Sequence, residues 1–238
     1  MSDNLAQITD NLESVRARIA AAAQSAGRQP DEVQLVAVTK YVDAETTALL
    51  MEAGCAILGE SRPQQLWQKA EYPALNKAHW HLIGHLQRNK VKRTLPFVDL
   101  IHSVDSLRLL SEINDAANVL NKQQNVLLEI NTSGEAAKHG LRADELRSVL
   151  EQLSEYPNEY PNIEVCGLMT MAARQGGAAV AAQNFASLRE LRDRVRADCP
   201  AEITLHELSM GMSQDFEAAI REGATLVRIG SSLFEGLR

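Results

Sequence analysis

Eight short apolar runs, each followed by a stretch of helical character, narrow the fold of this chain more than any other feature. The first, residues 35–40, is rich in Val and reads as a strand buried on both faces, the mark of a parallel sheet covered by helices. The others are 56–59, 80–84, 100–103, 126–131, 165–171, 207–210 and 226–230. Helical stretches lie between them, among them 44–53, 105–119, 143–153, 179–196 and 214–221. Asp43 and Ser213 stand where a side chain caps a helix start, and Gly54 and Gly223 where a left-handed residue closes one. Ahead of the first strand, Leu5, Ile8, Leu12, Val15 and Ile19 recur at steps of three and four, giving one helix stripe that ends near Gly27. Alternation of this kind predicts an α/β fold, a (β/α)8 TIM barrel with an extra N-terminal helix. A doubly wound open sheet is the competing architecture. With no Pro/Gly/Ser-rich linker, residues 1–238 read as one domain: the helix over 1–28 and the barrel over about 33–236. The near-tandem Glu155-Tyr156-Pro157-Asn158 and Glu159-Tyr160-Pro161-Asn162 reads as an insertion between a helix and the next strand, on the stability face.

Composition limits the partners. The 238 residues carry a net charge of −7, which makes nucleic acid a poor partner. Arg88, Lys90, Lys92 and Arg93 form the one basic run, which reads as a solvated helix face. No apolar run reaches the roughly 18–20 residues of a membrane span, and the acidic, polar start is not a signal peptide. Cys55, Cys166 and Cys199 are odd in number and far apart, which suits a reducing cytoplasm. No apolar interface stripe stands out, so a monomer is expected.

In a barrel the chemistry gathers at the C-terminal ends of the strands. Lys40 ends the first run, and Lys is rarely buried unless paired or chemically used. A desolvated lysine loses its proton more readily and is then competent to form an imine, although a lysine there also snorkels to solvent. Ser209 through Ser213 follow strand seven, and Gly230, Ser231 and Ser232 follow strand eight. Glycines and small hydroxyls after strands seven and eight commonly cradle a phosphate. Together with Lys40 they suggest a phosphate-bearing aldehyde held as an imine. Arg228, two residues before Gly230, is either an inward, permanently charged donor or half of an outward salt bridge. A class I aldolase with Lys40 as its imine lysine is a further reading, but a ring-directed Arg228 has no purpose there. His79, His81 and His85 hint at a metal, yet the other strand ends offer Asn131, Met169, Met171 and Ser209, poor ligands for such a cation. No metal is therefore expected, and Cys166 reads as a small core residue.

Val36-Ala-Val-Thr-Lys40, Gly59-Glu60, His81-Leu-Ile-Gly84 with Leu86-Gln87-Arg88-Asn89-Lys90, Gly167-Leu-Met-Thr-Met171, Leu208-Ser-Met-Gly-Met-Ser213 and Val227-Arg-Ile-Gly-Ser231 run in order along the chain. So do Asp215 and Glu217-Ala-Ala-Ile220. In these motifs, from about residue 10 to 236, the chain resembles the pyridoxal phosphate homeostasis protein family. The resemblance implies a barrel like the N-terminal domain of alanine racemase, which binds pyridoxal 5′-phosphate (PLP) and acts in vitamin B6 homeostasis without an established activity. It implies Lys40 as the Schiff-base lysine and Ser209, Gly230 and Ser231, with Ser232 adjacent, as the phosphate cradle. It implies Arg228 facing the pyridine nitrogen, and Asn131 and Met169, with Lys138 and Gly140 nearby, lining the ring. PLP-dependent apo-enzymes are the partners such a carrier would serve. The family's Gly-Glu-Asn-Tyr is here Gly59-Glu60-Ser61-Arg62, which removes any carried-over role for that Asn. A PLP-dependent racemase-like or lyase enzyme is the alternative. Against it, the resembled racemase draws its second proton donor from a C-terminal domain, and this chain is expected to lack one, ending eight residues after Gly230.

Overall fold

The computed structural model describes residues 2–135, 139–173, 175–198 and 203–237. Helix α1 (Ser2–Ser25) precedes an alternation of strands and helices. These are β1 (Gln34–Val38), α2 (Ala44–Glu52), β2 (Ile57–Glu60), α3 (Pro63–Ala70), β3 (His79–Leu82), α4 (Val91–Thr94), β4 (Val98–Val104) and α5 (Leu107–Val119). Then come β5 (Gln124–Glu129), α6 (Ala143–Glu155), β6 (Ile163–Met169), α7 (Gly177–Asp198), β7 (Glu207–Ser209), α8 (Phe216–Arg221) and β8 (Leu226–Ile229). Each strand pairs with the next in parallel, and β8 returns to β1 with Gln34 opposite Leu226 and Ala37 opposite Ile229. The sheet is therefore a closed (β/α)8 barrel, not the open sheet. Among the described residues, no helix is long and apolar enough to cross a membrane.

Strand alternation sorts the core into two layers. Outward positions such as Ala37, Leu58, Leu82, Ile101, Leu128, Leu168, Leu208 and Val227 pack under the helices, against Leu50, Leu66, Leu110, Leu146, Phe185 and Ile220. Inward positions form a smaller cluster of Val36, Leu100, Leu127, Met169 and Leu226. Two residues further along a strand, the side chain returns to the same face. There stand Val38, His102, Glu129 and Arg228, all buried. The barrel interior is thus apolar below and polar toward the C-terminal ends of its strands. The buried stripe Ile8, Leu12, Val15 and Ile19 holds α1 against the barrel, and Asn11 donates to the carbonyls of Leu233 and Glu235.

Most expected ends hold to within a residue or two. Asp43 accepts the Thr46 N–H, and Gly54 and Gly223 follow their helices with φ of +85° and +92°. The Tyr-Pro repeat joins α6 to β6 at the N-terminal end of that strand. Three expectations shift. β1 stops at Val38: Thr39 still donates to Gly59, but the chain then turns, with Val42 N–H on the Thr39 carbonyl. Lys40 therefore sits just beyond the strand. Helix α5 starts at Leu107, because the Ser106 hydroxyl accepts the Leu109 N–H and fixes the cap there. Ser213 does not cap α8, which begins after Asp215; its Oγ instead accepts the N–H of Gly230 at 3.2 Å.

Candidate functional site

A cavity of about 460 Å³ opens at the C-terminal end of the barrel, among the loops after β1, β2, β3, β5, β6, β7 and β8. Of the expected residues, Lys40, Arg228, Gly230 and Ser231 line it together.

Lys40 is presented by a fixed backbone. Its neighbour Thr39 is fully buried, and the Thr39 carbonyl accepts from Lys69 Nζ of α3 at 2.6 Å. Lys69 Nζ also meets Glu60 Oε2 at 2.7 Å, where β2 ends, and Thr39 Oγ1 donates to that same oxygen. Glu60 Oε1 accepts the Ser61 N–H at 2.8 Å. A buried ion pair with further hydrogen bonds thus ties the ends of β1 and β2 together directly behind Lys40. Such a pair retains its geometry because every remaining lone pair and proton finds a partner. Lys40 Nζ itself lies 4.8 Å from the centroid of the Tyr41 ring.

Arg228 points inward, which excludes the outward salt bridge. Its Nη1 donates to Ser209 Oγ at 2.5 Å and its Nη2 to the Thr170 carbonyl at 2.9 Å. A guanidinium only donates. The Ser209 hydroxyl also meets His102 Nδ1, 2.8 Å away, and His102 Nε2 meets His81 Nδ1 at 3.0 Å, so the guanidinium ends a buried chain of three further polar groups. Both imidazoles are neutral within it. Burial pushes His81 down to about 4, and burial, His81 and the Arg228 charge hold His102 well below the usual range. Burial lowers Arg228 to about 10, which leaves it a cation at neutral pH. Glu129, also on the cavity wall, is raised by burial and next by the Asp105 charge.

The remaining expected residues fall elsewhere. Ser209 is fully buried behind Arg228 instead of standing on the wall. Met169 belongs to the inner apolar layer below. Asn131 lies past the end of β5 and shapes the following loop, donating to the Glu135 carbonyl and accepting from Ser133 Oγ and Gly134 N–H. Neither it nor Ser232 lines the cavity. Lys138 lies outside the described residues, whereas Gly140 backs onto Asn131, where a Cβ would come within 2.8 Å of the Asn131 nitrogen. Ser61 does reach the wall, beside Gly84, where a Cβ would stand 2.3 Å from the Ser61 carbonyl oxygen.

One charged wall residue escaped the sequence reading with a signal present. Glu129 is a charge at the end of an apolar run, the same oddity that marked Lys40. Ser213, the last residue of the small-hydroxyl stretch after strand seven, lines the wall as well. The three histidines do not converge: His79 pairs with Asp99 at 2.9 Å, His81 faces His102, and His85 stands on the cavity rim beside Asp105.

The fold and this wall define a class, that of barrels like the N-terminal domain of alanine racemase: the family profile described as "Alanine racemase, N-terminal domain" matches residues 8–237. Alanine racemase from Streptomyces coelicolor shares the fold with a TM-score of 0.69 at 18% identity, over 96% of this chain and 58% of that one. The chain belongs, more narrowly, to the pyridoxal phosphate homeostasis protein family. It is 40% identical over 225 residues to the Aquifex aeolicus protein of that name, covering 94% of this chain and 96% of the relative. The Escherichia coli K12 protein of the same name is 34% identical over 234 residues, 95% of each chain. PipY of Synechococcus elongatus, solved with PLP bound, superposes with a TM-score of 0.83 at 33% identity, over 95% of this chain and 99% of that one.

Proposed function

We propose that this chain binds PLP in the cavity, holds it as a Schiff base on Lys40, and serves intracellular PLP homeostasis without turnover of its own. One observation carries the reading: a flexible amine, a buried guanidinium and the Gly230-Ser231 turn share a single cavity. The volume of about 460 Å³ falls in the range of roughly 300–1,000 Å³ usual for cofactor sites. The donors fit the chemistry too. Ser213 Oγ accepts from Gly230, so its own hydrogen is left to donate to a phosphate. The name of the relatives and the PLP in the PipY structure support the same cofactor.

PLP supplies an aldehyde and an electron-withdrawing ring. Lys40 supplies the amine, on a backbone that the Glu60–Lys69 pair holds still. Arg228 supplies a charge that cannot be passed on, so a ring nitrogen facing it stays unprotonated and the ring is a weak electron sink. That electronic setting supports holding over turnover. Glu129, a buried acid on the same wall, is the observation that favours the racemase-like reading. The proposal includes a cytoplasmic monomer that supplies PLP-dependent apo-enzymes.

Visible absorbance tests it. The purified protein should be yellow, a Lys40→Ala variant colourless, and neither should racemise alanine or other common amino acids. Turnover of an amino acid that depends on Lys40 would replace this reading with the enzymatic one.

A further inference from the structure

We propose that His85, Asp105 and His139 form a binding site for a divalent cation of the zinc class on the rim of the cavity. The three residues come from the loops after β3, β4 and β5, and one donor atom from each lies within 4.8 Å of the others. Asp105 Oδ2 is 3.4 Å from His85 Nδ1 and 3.8 Å from His139 Nδ1. Both distances exceed the roughly 2.7–3.2 Å of an N–H···O hydrogen bond, so direct hydrogen bonding does not account for the convergence. Tetrahedral zinc, with ligands about 2.0–2.2 Å away, sets its donors about 3.3–3.6 Å apart. The His85–Asp105 edge already has that length, and the half-exposed imidazoles have room to close the others.

The carboxylate is aimed. Asp105 Oδ1 accepts from the Ser106 hydroxyl at 3.3 Å, which turns Oδ2 toward the two rings. The imidazoles stack with centroids 4.3 Å apart and 17° between planes, so one ring must turn about its side-chain bonds to bring both in-plane lone pairs onto one ion, a movement its exposure permits. Two imidazoles and one carboxylate suit zinc, cobalt or nickel and are too nitrogen-rich for magnesium or calcium. Three protein ligands leave a fourth position for water or another donor. His85 and His139 also line the cavity that holds Lys40. A cation here would bolt three rim loops together beside it. The site does not depend on PLP, since all its ligands are protein side chains.

Cobalt(II) titration of the chelator-treated protein, with and without PLP, tests the proposal by absorbance between about 500 and 650 nm, where PLP does not interfere. Wild type should develop d–d bands at one equivalent with micromolar affinity in both states. His85→Ala and His139→Gln, both half-exposed positions, should lose at least tenfold in affinity while keeping the wild-type circular dichroism. Zinc should displace the cobalt. Absence of bands at micromolar protein, equal bands in the histidine variants, or bands that require PLP and ignore both histidines would each overturn it.

Discussion

The two sides of the cavity rim are built on different principles. Where β1, β2 and β8 end, the side chains proposed to hold the cofactor rest on buried polar partners. Lys40 follows Thr39, which is clamped by Lys69 and Glu60, and Arg228 is seated on Ser209 and Thr170. Where β3, β4 and β5 end, His85 and His139 stand half-exposed, stacked on each other and, among the described residues, paired with Asp105. The first side is over-determined, which suits the proposed task of holding a reactive amine in a fixed place. The second is loosely held and able to adapt to what it binds. Burial is what separates them, since a hydrogen bond or ion pair out of water is both stronger and more costly to break.

That contrast predicts a steep ranking of effects. Lys69→Met leaves Glu60 charged and buried without its partner, and should cost about 3–5 kcal/mol in denaturant unfolding. The double variant Glu60→Gln/Lys69→Met should recover much of that loss. If the single variant cost less than 1 kcal/mol, the clamp would not be what fixes the Lys40 backbone.

Acid should act next, on the buried histidine pair that underlies Arg228 through Ser209. In the unfolded chain His81 takes a proton below about pH 6.5, in the folded chain only below about 4. Between those values the unfolded state holds more protons, so stability falls as pH falls, by about 3 kcal/mol from His81 alone. The contribution is complete above about pH 6.5. Chemical denaturation as a function of pH should show this slope together with that of His102, and His81→Asn should reduce it by the His81 share. An equal slope in that variant would place the titrating group elsewhere.

Arg228→Glu reverses the charge proposed to face the ring and should shift the visible spectrum of bound PLP. An unchanged spectrum would put Arg228 away from the ring. The smallest effect belongs to the exposed side. His85→Ala and His139→Ala, measured in the absence of metal, should each change stability by no more than about 0.5 kcal/mol. A loss of several kcal/mol would make this rim as rigid as the other.

The barrel was legible in the sequence because a parallel strand buried on both faces writes itself as a continuous apolar run. The sequence also marked Lys40 and Arg228, charges set at the ends of such runs. It placed Ser209, Asn131 and Met169 on the wall for want of depth information. Strand position is visible in a sequence, but whether a side chain stands at the cavity surface or one layer beneath depends on where each strand stops pairing. Ser209 closes β7 under Arg228, and Asn131 stands two residues past β5. The Lys69–Glu60 pair spans nine residues and crosses from helix to strand, so no local pattern announces it. The His85–Asp105–His139 group is contributed by three different loops, and only the closed barrel brings its members together.

Borohydride reduction of the PLP-loaded protein, followed by peptide mapping, tests the central claim most directly. The account predicts one modified peptide, bearing the pyridoxyl group on Lys40. A label on any other lysine, or no label, would contradict it.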